Sequence, residues 1–234
     1  GMDNTLYVRV TSKCNRNCSF CRASEAMKFW DKPPERFAQA LLYLPQLKPT
    51  VDSVVWSGGE PLSAVPRWRQ LRTYLKSAYP RIKEQLVTNG WYISRSLFEE
   101  LNEMRHVEIS IDGYAEGVTE RSFEELLKAG RYDLLEFIGQ SSSVSITSVV
   151  TRKQLRNYRW ADDLAKLYRK IHQLGINNFT LSIDEHYGAT MSTDEVVNFT
   201  IGYGELRQLV SELNVGSAIG TKLPVNKFFD YRCS

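Results

Sequence analysis

Thr11-Ser-Lys-Cys14-Asn-Arg-Asn-Cys18-Ser-Phe20-Cys21 follows directly on the apolar run Leu6-Tyr-Val-Arg-Val10. A short β-branched strand thus opens into a loop that carries three thiols spaced C-x3-C-x2-C. Three thiolates on one loop can hold a metal centre with one coordination position unfilled. An unfilled position marks a site that does chemistry rather than one that staples a fold. A structural zinc site would need a fourth ligand, and Cys233, His106, His172 and His186 are all distant in sequence. A C-x2-C redox pair would leave Cys14 without a role.

Outward from this loop the chain repeats one phrase: a β-branched run, a turn, then an amphipathic helix. Strands are expected at 6–10, 51–56, 84–87, 107–111, 144–150 and 178–183. Most are near-continuous apolar runs, as parallel strands buried on both faces require. Pro33-Pro34-Glu35 and Pro66 open helices, since proline is tolerated in a first turn. Ser96 to Glu99 and Ser122 to Glu125 have capping-box spacing. Over 161–174, Leu164, Leu167, Tyr168, Ile171 and Leu174 form a stripe that Gly175 ends. A last helix starts at Thr193-Asp194-Glu195, and Gly202 and Gly204 are expected to interrupt it. Six strand–helix units imply an α/β fold, a partial (β/α)6 TIM-like barrel whose open parallel sheet has helices outside. No Pro-, Gly- or Ser-rich linker divides the chain. One domain is expected over 1–234, with a core barrel at about 5–190 and a C-terminal helix and tail at 191–234.

In such barrels the chemistry gathers on the loops that leave the C-terminal ends of the strands. The unusual residues fall there. The cysteine loop follows strand 1, Ser57-Gly58-Gly59-Glu60-Pro61 strand 2, and Thr88-Asn89-Gly90 strand 3. Ser110-Ile-Asp112-Gly113 closes strand 4, and Asp184-Glu185-His186-Tyr187 follows strand 6. This order of motifs, with Phe20 just before the third cysteine, resembles the radical S-adenosylmethionine (SAM) superfamily over roughly 6–184. The Ser110 to Gly113 segment is similar to the branch of anaerobic sulfatase-maturating and peptide-modifying SPASM enzymes.

The resemblance implies that Cys14, Cys18 and Cys21 each bind one iron of a 4Fe-4S cluster, whose fourth iron is chelated by SAM. It implies reductive SAM cleavage, then hydrogen abstraction by a 5′-deoxyadenosyl radical from a peptide, protein residue or small molecule. Such a cofactor carries the hard chemistry, and the protein positions it. Gly58 and Gly59 would allow close backbone approach, and Glu60 would accept from the SAM amino group. Ser110 and Asp112 would meet SAM's polar groups, including the ribose, with Thr88 and Asn89 in support. Arg121 resembles an arginine that pairs with the SAM carboxylate, and Phe20 would pack near the adenine. No residue of strand 5 receives a role. An electron donor such as flavodoxin or ferredoxin is implied. The alternative is a cluster-binding regulatory or interaction module without turnover. Cys233 stands where related enzymes begin auxiliary-cluster cysteines, and no complete auxiliary cluster can be built from it.

Composition narrows the rest. The chain of 234 residues is 42% hydrophobic and 24% charged, an ordinary globular balance. A net charge of +3 is too small to argue for nucleic acid, and the Arg152 to Arg159 cluster reads as a solvated face. No apolar run reaches the ~18 residues of a membrane span. The start of the chain lacks the basic and apolar regions of a signal peptide, and Gly1 reads as a tag scar. Four cysteines, three of them on one loop, are no disulfide framework, so a cytoplasmic, reducing compartment is expected.

Overall fold

The computed structural model describes residues 4–16, 18, 32–157, 159–183 and 191–217. Phe20, Cys21, the 184–187 motif and Cys233 lie outside the described residues. The chain forms two compact units: the first holds the described residues up to Glu108 except Cys18, which belongs with the second, from Ile109 onward.

The first unit holds β1 (Thr5–Arg9), α1 (Pro34–Leu47), β2 (Ser53–Ser57), α2 (Val65–Ala78), β3 (Lys83–Thr88) and the short α3 (Phe98–Glu103). β1 pairs in parallel with β2, and β2 with β3. As expected, Pro34 and Pro66 stand in the first turns of α1 and α2. The Ser96–Glu99 capping box does not form. The chain enters α3 through a 3-10 turn, Arg95–Leu97, and the Ser96 hydroxyl bonds that of Ser94 at 2.8 Å.

Trp56, Trp68, Leu71, Leu75 and Leu86 make the core of this unit. One polar group is built into it. Glu84 on β3 accepts two bonds from the Arg72 guanidinium on α2, both 2.8 Å, and one from Trp56 Nε1 at 3.0 Å. Burial of Glu84 favours its neutral acid, but these donors outweigh burial and hold its pKa below the usual value. β2 is not buried on both faces. Val54 and Trp56 are buried, whereas Ser53, Val55 and Ser57 alternate with them half-buried.

β4 (His106–Ser110) crosses the boundary. The second unit continues through α4 (Phe123–Lys128), α5 (Tyr132–Gln140), β5 (Val144–Val150), α6 (Arg152–Asn157), α7 (Trp160–His172), β6 (Phe179–Ile183), α8 (Thr193–Leu209) and β7 (Val215–Ser217). β5, β6 and β7 pair in parallel. The strands follow one another as one open parallel sheet in the order β1 to β7, which adds a seventh strand to the six expected. β7 has only three residues, too few to show a period of two.

The Ser122–Glu125 capping box forms at α4, and a second, Ser192–Glu195, opens α8. α8 runs unbroken through Gly202 and Gly204, contrary to expectation. A Cβ on Gly202 would stand 2.3 Å from the Trp160 ring, which itself stacks on Phe199 at 5.3 Å. Gly202 is therefore a contact between helices, not a break. Arg152 is no solvated side chain either: its guanidinium forks onto Glu195 at 2.6 and 2.8 Å.

Candidate functional site

In the first unit, backbone bonds join the cysteine loop to the glycine loop after β2. Val10 N donates to Ser57 O at 2.8 Å, Gly59 N to Thr11 O at 2.8 Å, and Glu60 N to Lys13 O at 2.7 Å. Both glycines are required, for different reasons. Gly58 has φ +133°, which L side chains rarely adopt. Gly59 lies so close to the cysteine loop that a Cβ would stand 2.2 Å from Lys13 O.

Glu60 is 1% exposed, and its carboxylate is the hub of this cluster. Oε2 accepts from Leu62 N at 2.9 Å and Thr88 Oγ1 at 2.8 Å, and Oε1 accepts from Asn89 N at 2.7 Å. A carboxylate has about four acceptor positions, and these three bonds take most of them. Thr88 Oγ1 in turn accepts from Gly90 N at 3.1 Å. Asn89 reaches back to the cysteine loop: its Nδ2 donates to Asn15 Oδ1 at 2.9 Å and stands 4.0 Å from Cys14 Sγ. Arg16 N donates to Cys14 Sγ at 3.4 Å. Cys14 is exposed and Cys18 half-buried. Among the described residues no three metal-ligating side chains converge, Cys21 being outside them.

In the second unit, Asp112 is the hub, also 1% exposed. Arg121 donates from Nε to Oδ2 at 2.7 Å and from Nη2 to Oδ1 at 2.8 Å, a bidentate pair. Val149 N donates to Oδ1 at 2.9 Å, and Asp112 N itself donates to Arg121 O at 2.7 Å. Ser110, just before it, is buried. The loop beyond is held by Asp163 of α7, which accepts from Tyr114 N at 2.8 Å and Ala115 N at 3.0 Å. A Cβ on Gly113 would stand 2.2 Å from Asp163 Oδ2. On β5, the Thr147 hydroxyl is buried with no protein partner.

The structure thus brings Gly58, Gly59, Glu60, Thr88, Asn89 and Cys14 into one cluster, and Asp112 and Arg121 into another beside Ser110. Sequence reasoning missed Asn15, Asp163 and Thr147. Asn15 stands between two cysteines of the motif, which was a usable signal. Asp163 resembles any acid in a first helical turn.

The radical SAM superfamily model matches residues 8–200. An uncharacterised protein of Methanocaldococcus jannaschii, MJ0907, is 29% identical over 157 residues, covering 64% of this chain and 54% of its own. The chain therefore spans about half the length of the curated relative it matches. Among solved structures, native anSMEcpe with bound AdoMet aligns at TM-score 0.66 and 17% identity, over 92% of this chain and 63% of that one. Streptococcus suis SuiB bound to precursor peptide SuiA aligns at TM-score 0.62 and 16% identity, over 92% and 48%. At such identities the likeness is one of fold, and it is the fold expected from the order of the motifs.

Proposed function

The chain belongs to the radical SAM superfamily, and from that premise we propose that it is an enzyme that reductively cleaves SAM at a 4Fe-4S cluster held by Cys14, Cys18 and Cys21. When bound, the cluster and SAM supply one-electron cleavage of a sulfonium C–S bond and a 5′-deoxyadenosyl radical that takes hydrogen from a substrate. The observation that carries this reading is the environment of Cys14. Its sulfur receives the Arg16 N–H, and Asn89, pinned by Glu60, stands beside it. Hydrogen bonds to ligand sulfurs favour the thiolate and tune an iron–sulfur centre. Soft thiolates are also the donors such a centre selects.

The chain's own residues have distinct proposed tasks. Gly58 and Gly59 permit close backbone approach at the strand end, and Phe20 packs near the adenine and shields the cluster. Glu60 works chiefly as a positioning residue, because three of its acceptor sites hold Leu62, Thr88 and Asn89. Arg121, forked onto Asp112, is proposed to fix that strand end rather than to clamp the SAM carboxylate. Ser110 and the Thr147 hydroxyl are then the groups best suited to SAM's polar atoms, with Asp112 behind them.

A polypeptide substrate is favoured because the similar structures include anSMEcpe with the Kp18Cys peptide and SuiB with SuiA. The electron donor is proposed to be flavodoxin- or ferredoxin-like. Among the described residues no helix is long and apolar enough to cross a membrane, and a reducing cytoplasm suits the thiols. We take the whole chain as one functional domain.

The test is anaerobic reconstitution followed by dithionite, SAM and product analysis. About four iron and four sulfide per chain, with 5′-deoxyadenosine and methionine formed, support the reading. Cys18→Ala should lose both cluster and cleavage. Tightly bound zinc, or a cluster that never cleaves SAM, moves the weight to a cluster-binding module.

A further inference from the structure

β1 stands at one end of the sheet order, and among the described residues it pairs only with β2. In a parallel pair, alternate residues direct their backbone groups to the same neighbour. Asn4 O accepts from Asp52 N, and Val10 N donates to Ser57 O. The even-numbered residues therefore face β2, and Thr5, Tyr7 and Arg9 turn their N–H and C=O groups to the open side. Tyr7 is 70% exposed, far more than a strand aromatic needs to be.

Beside this edge lies a groove of about 670 Å³ between β1 and α1. Its apolar lining includes Val8, Pro33, Phe37 and Ala40, and its basic lining Arg9, Lys32, Arg36 and Arg67. None of the described lining residues is acidic. Arg67 is committed to the fold, donating to Val10 O at 2.6 Å and Lys32 O at 2.5 Å. The other three are exposed, and no carboxylate among the described residues pairs with them. The groove's helical side also extends: Arg36, Ala40, Tyr43 and Leu47 recur at helical spacing and are all exposed. Charge on an edge strand also discourages self-pairing, but that accounts for Arg9 alone, not for Lys32 and Arg36 beyond the strand.

We infer that β1 and its groove are the docking edge for an extended, acidic segment of a polypeptide, which adds to β1 as a further parallel or antiparallel strand. Backbone pairing to Thr5, Tyr7 and Arg9 supplies the hold, as strand addition does generally. The cations select carboxylate side chains, and the apolar lining takes alternate apolar ones. Free anions and nucleic acid match the charge but not the strand edge or the apolar wall. That the segment belongs to the substrate rests on the enzyme reading; the docking itself does not.

The test uses the full chain and fluorescein-labelled short peptides that alternate Glu with Val or Lys with Val, followed by anisotropy. The Glu/Val peptide is expected to bind and the Lys/Val peptide not. The exposed double reversal Arg9→Glu, Arg36→Glu should weaken binding by at least about tenfold. Tyr7→Pro should weaken it comparably, because it removes an N–H on the open side and none that bonds β2. Equal binding of both peptides, or no binding of the acidic one up to millimolar concentration, overturns the inference. Acidic binding lost on charge reversal yet unchanged in folded Tyr7→Pro overturns strand addition. Production of 5′-deoxyadenosine is read separately. Binding without SAM cleavage would sink the enzyme reading and keep the docking edge, and cleavage without binding would do the reverse.

Discussion

Glu60 and Asp112 solve one problem in two ways. Each is a carboxylate 1% exposed, just past the end of a strand, and each accepts a backbone N–H at the end of the next strand in its own unit. Around Glu60 the donors include two backbone N–H groups and the Thr88 hydroxyl. Around Asp112 the main donor is the Arg121 guanidinium, reaching back over a loop. The first arrangement depends on where the backbone runs, hence on Gly58 and Gly59. The second depends on one long side chain and tolerates more latitude in the loop it spans. Backbone precision accompanies the cysteines, and the side-chain clamp holds the strand end that carries Ser110.

The sharpest way to break the comparison is to remove Arg121. Arg121→Met leaves Asp112 buried without its counter-charge, and such a loss typically costs about 3–5 kcal/mol. Urea unfolding of the variant should show it. The double replacement Asp112→Leu, Arg121→Met should be milder than the single, because no charge is left stranded. A double as damaging as the single would mean that Asp112's bond to Val149 N matters more than its ion pair.

Glu60→Gln should be gentler on stability and harsher on chemistry. The amide replaces one acceptor oxygen with a donor, so Leu62 N or Asn89 N loses its partner, at about 1–3 kcal/mol. Iron content should survive while SAM cleavage falls, since the lost contact positions Asn89 rather than binding metal. Full activity in that variant would contradict the hub role.

Gly59→Ala tests the backbone side directly. Its Cβ would meet Lys13 O and Ser12 O, neither of which can rotate away. Displacing the cysteine loop should cost about 1–3 kcal/mol and weaken cluster retention. Normal iron loading would show that the two loops separate without consequence.

Most of this geometry was legible as motif, and less of it as partnership. The Gly58-Gly59-Glu60 run and the cysteine spacing could be read because each is a short contiguous motif. The Pro34 and Pro66 helix starts could be read because proline acts within one turn. The errors share a cause in tertiary contact. Gly202 looked like a breaker because its reason, the Trp160 ring, lies 42 positions away in sequence. Asp163 was missed because the amides it holds, those of Tyr114 and Ala115, come from another loop. The protein donors to Glu60 were not foreseen, because Thr88 and Asn89 belong to a different strand end. β7 is too short to carry a pattern of its own.

The smallest expected effect sharpens the contrast between units through pH. Each unit has a carboxylate–arginine pair away from the site: Glu84 with Arg72 in the first, Glu195 with Arg152 in the second. Burial alone would raise both carboxyl pKa values. Arg72 and Trp56 outweigh it at Glu84, and Arg152 and Ser192 outweigh it at Glu195, so both lie below the ordinary value of 4.5. A depressed folded pKa means that the unfolded chain binds more protons as pH falls. The stabilisation is therefore complete above the unfolded value, and it is lost as pH drops through the folded one. Urea midpoints should be level from neutrality to about pH 5 and then decline. Glu84→Gln and Glu195→Gln should each flatten the decline, Glu84→Gln more, because Arg72 is the more buried of the two arginines, at 8% against 28% exposure. Equal flattening would show that burial of the arginine does not set the strength of these pairs, and a decline unchanged in both would assign the acid sensitivity to other carboxylates.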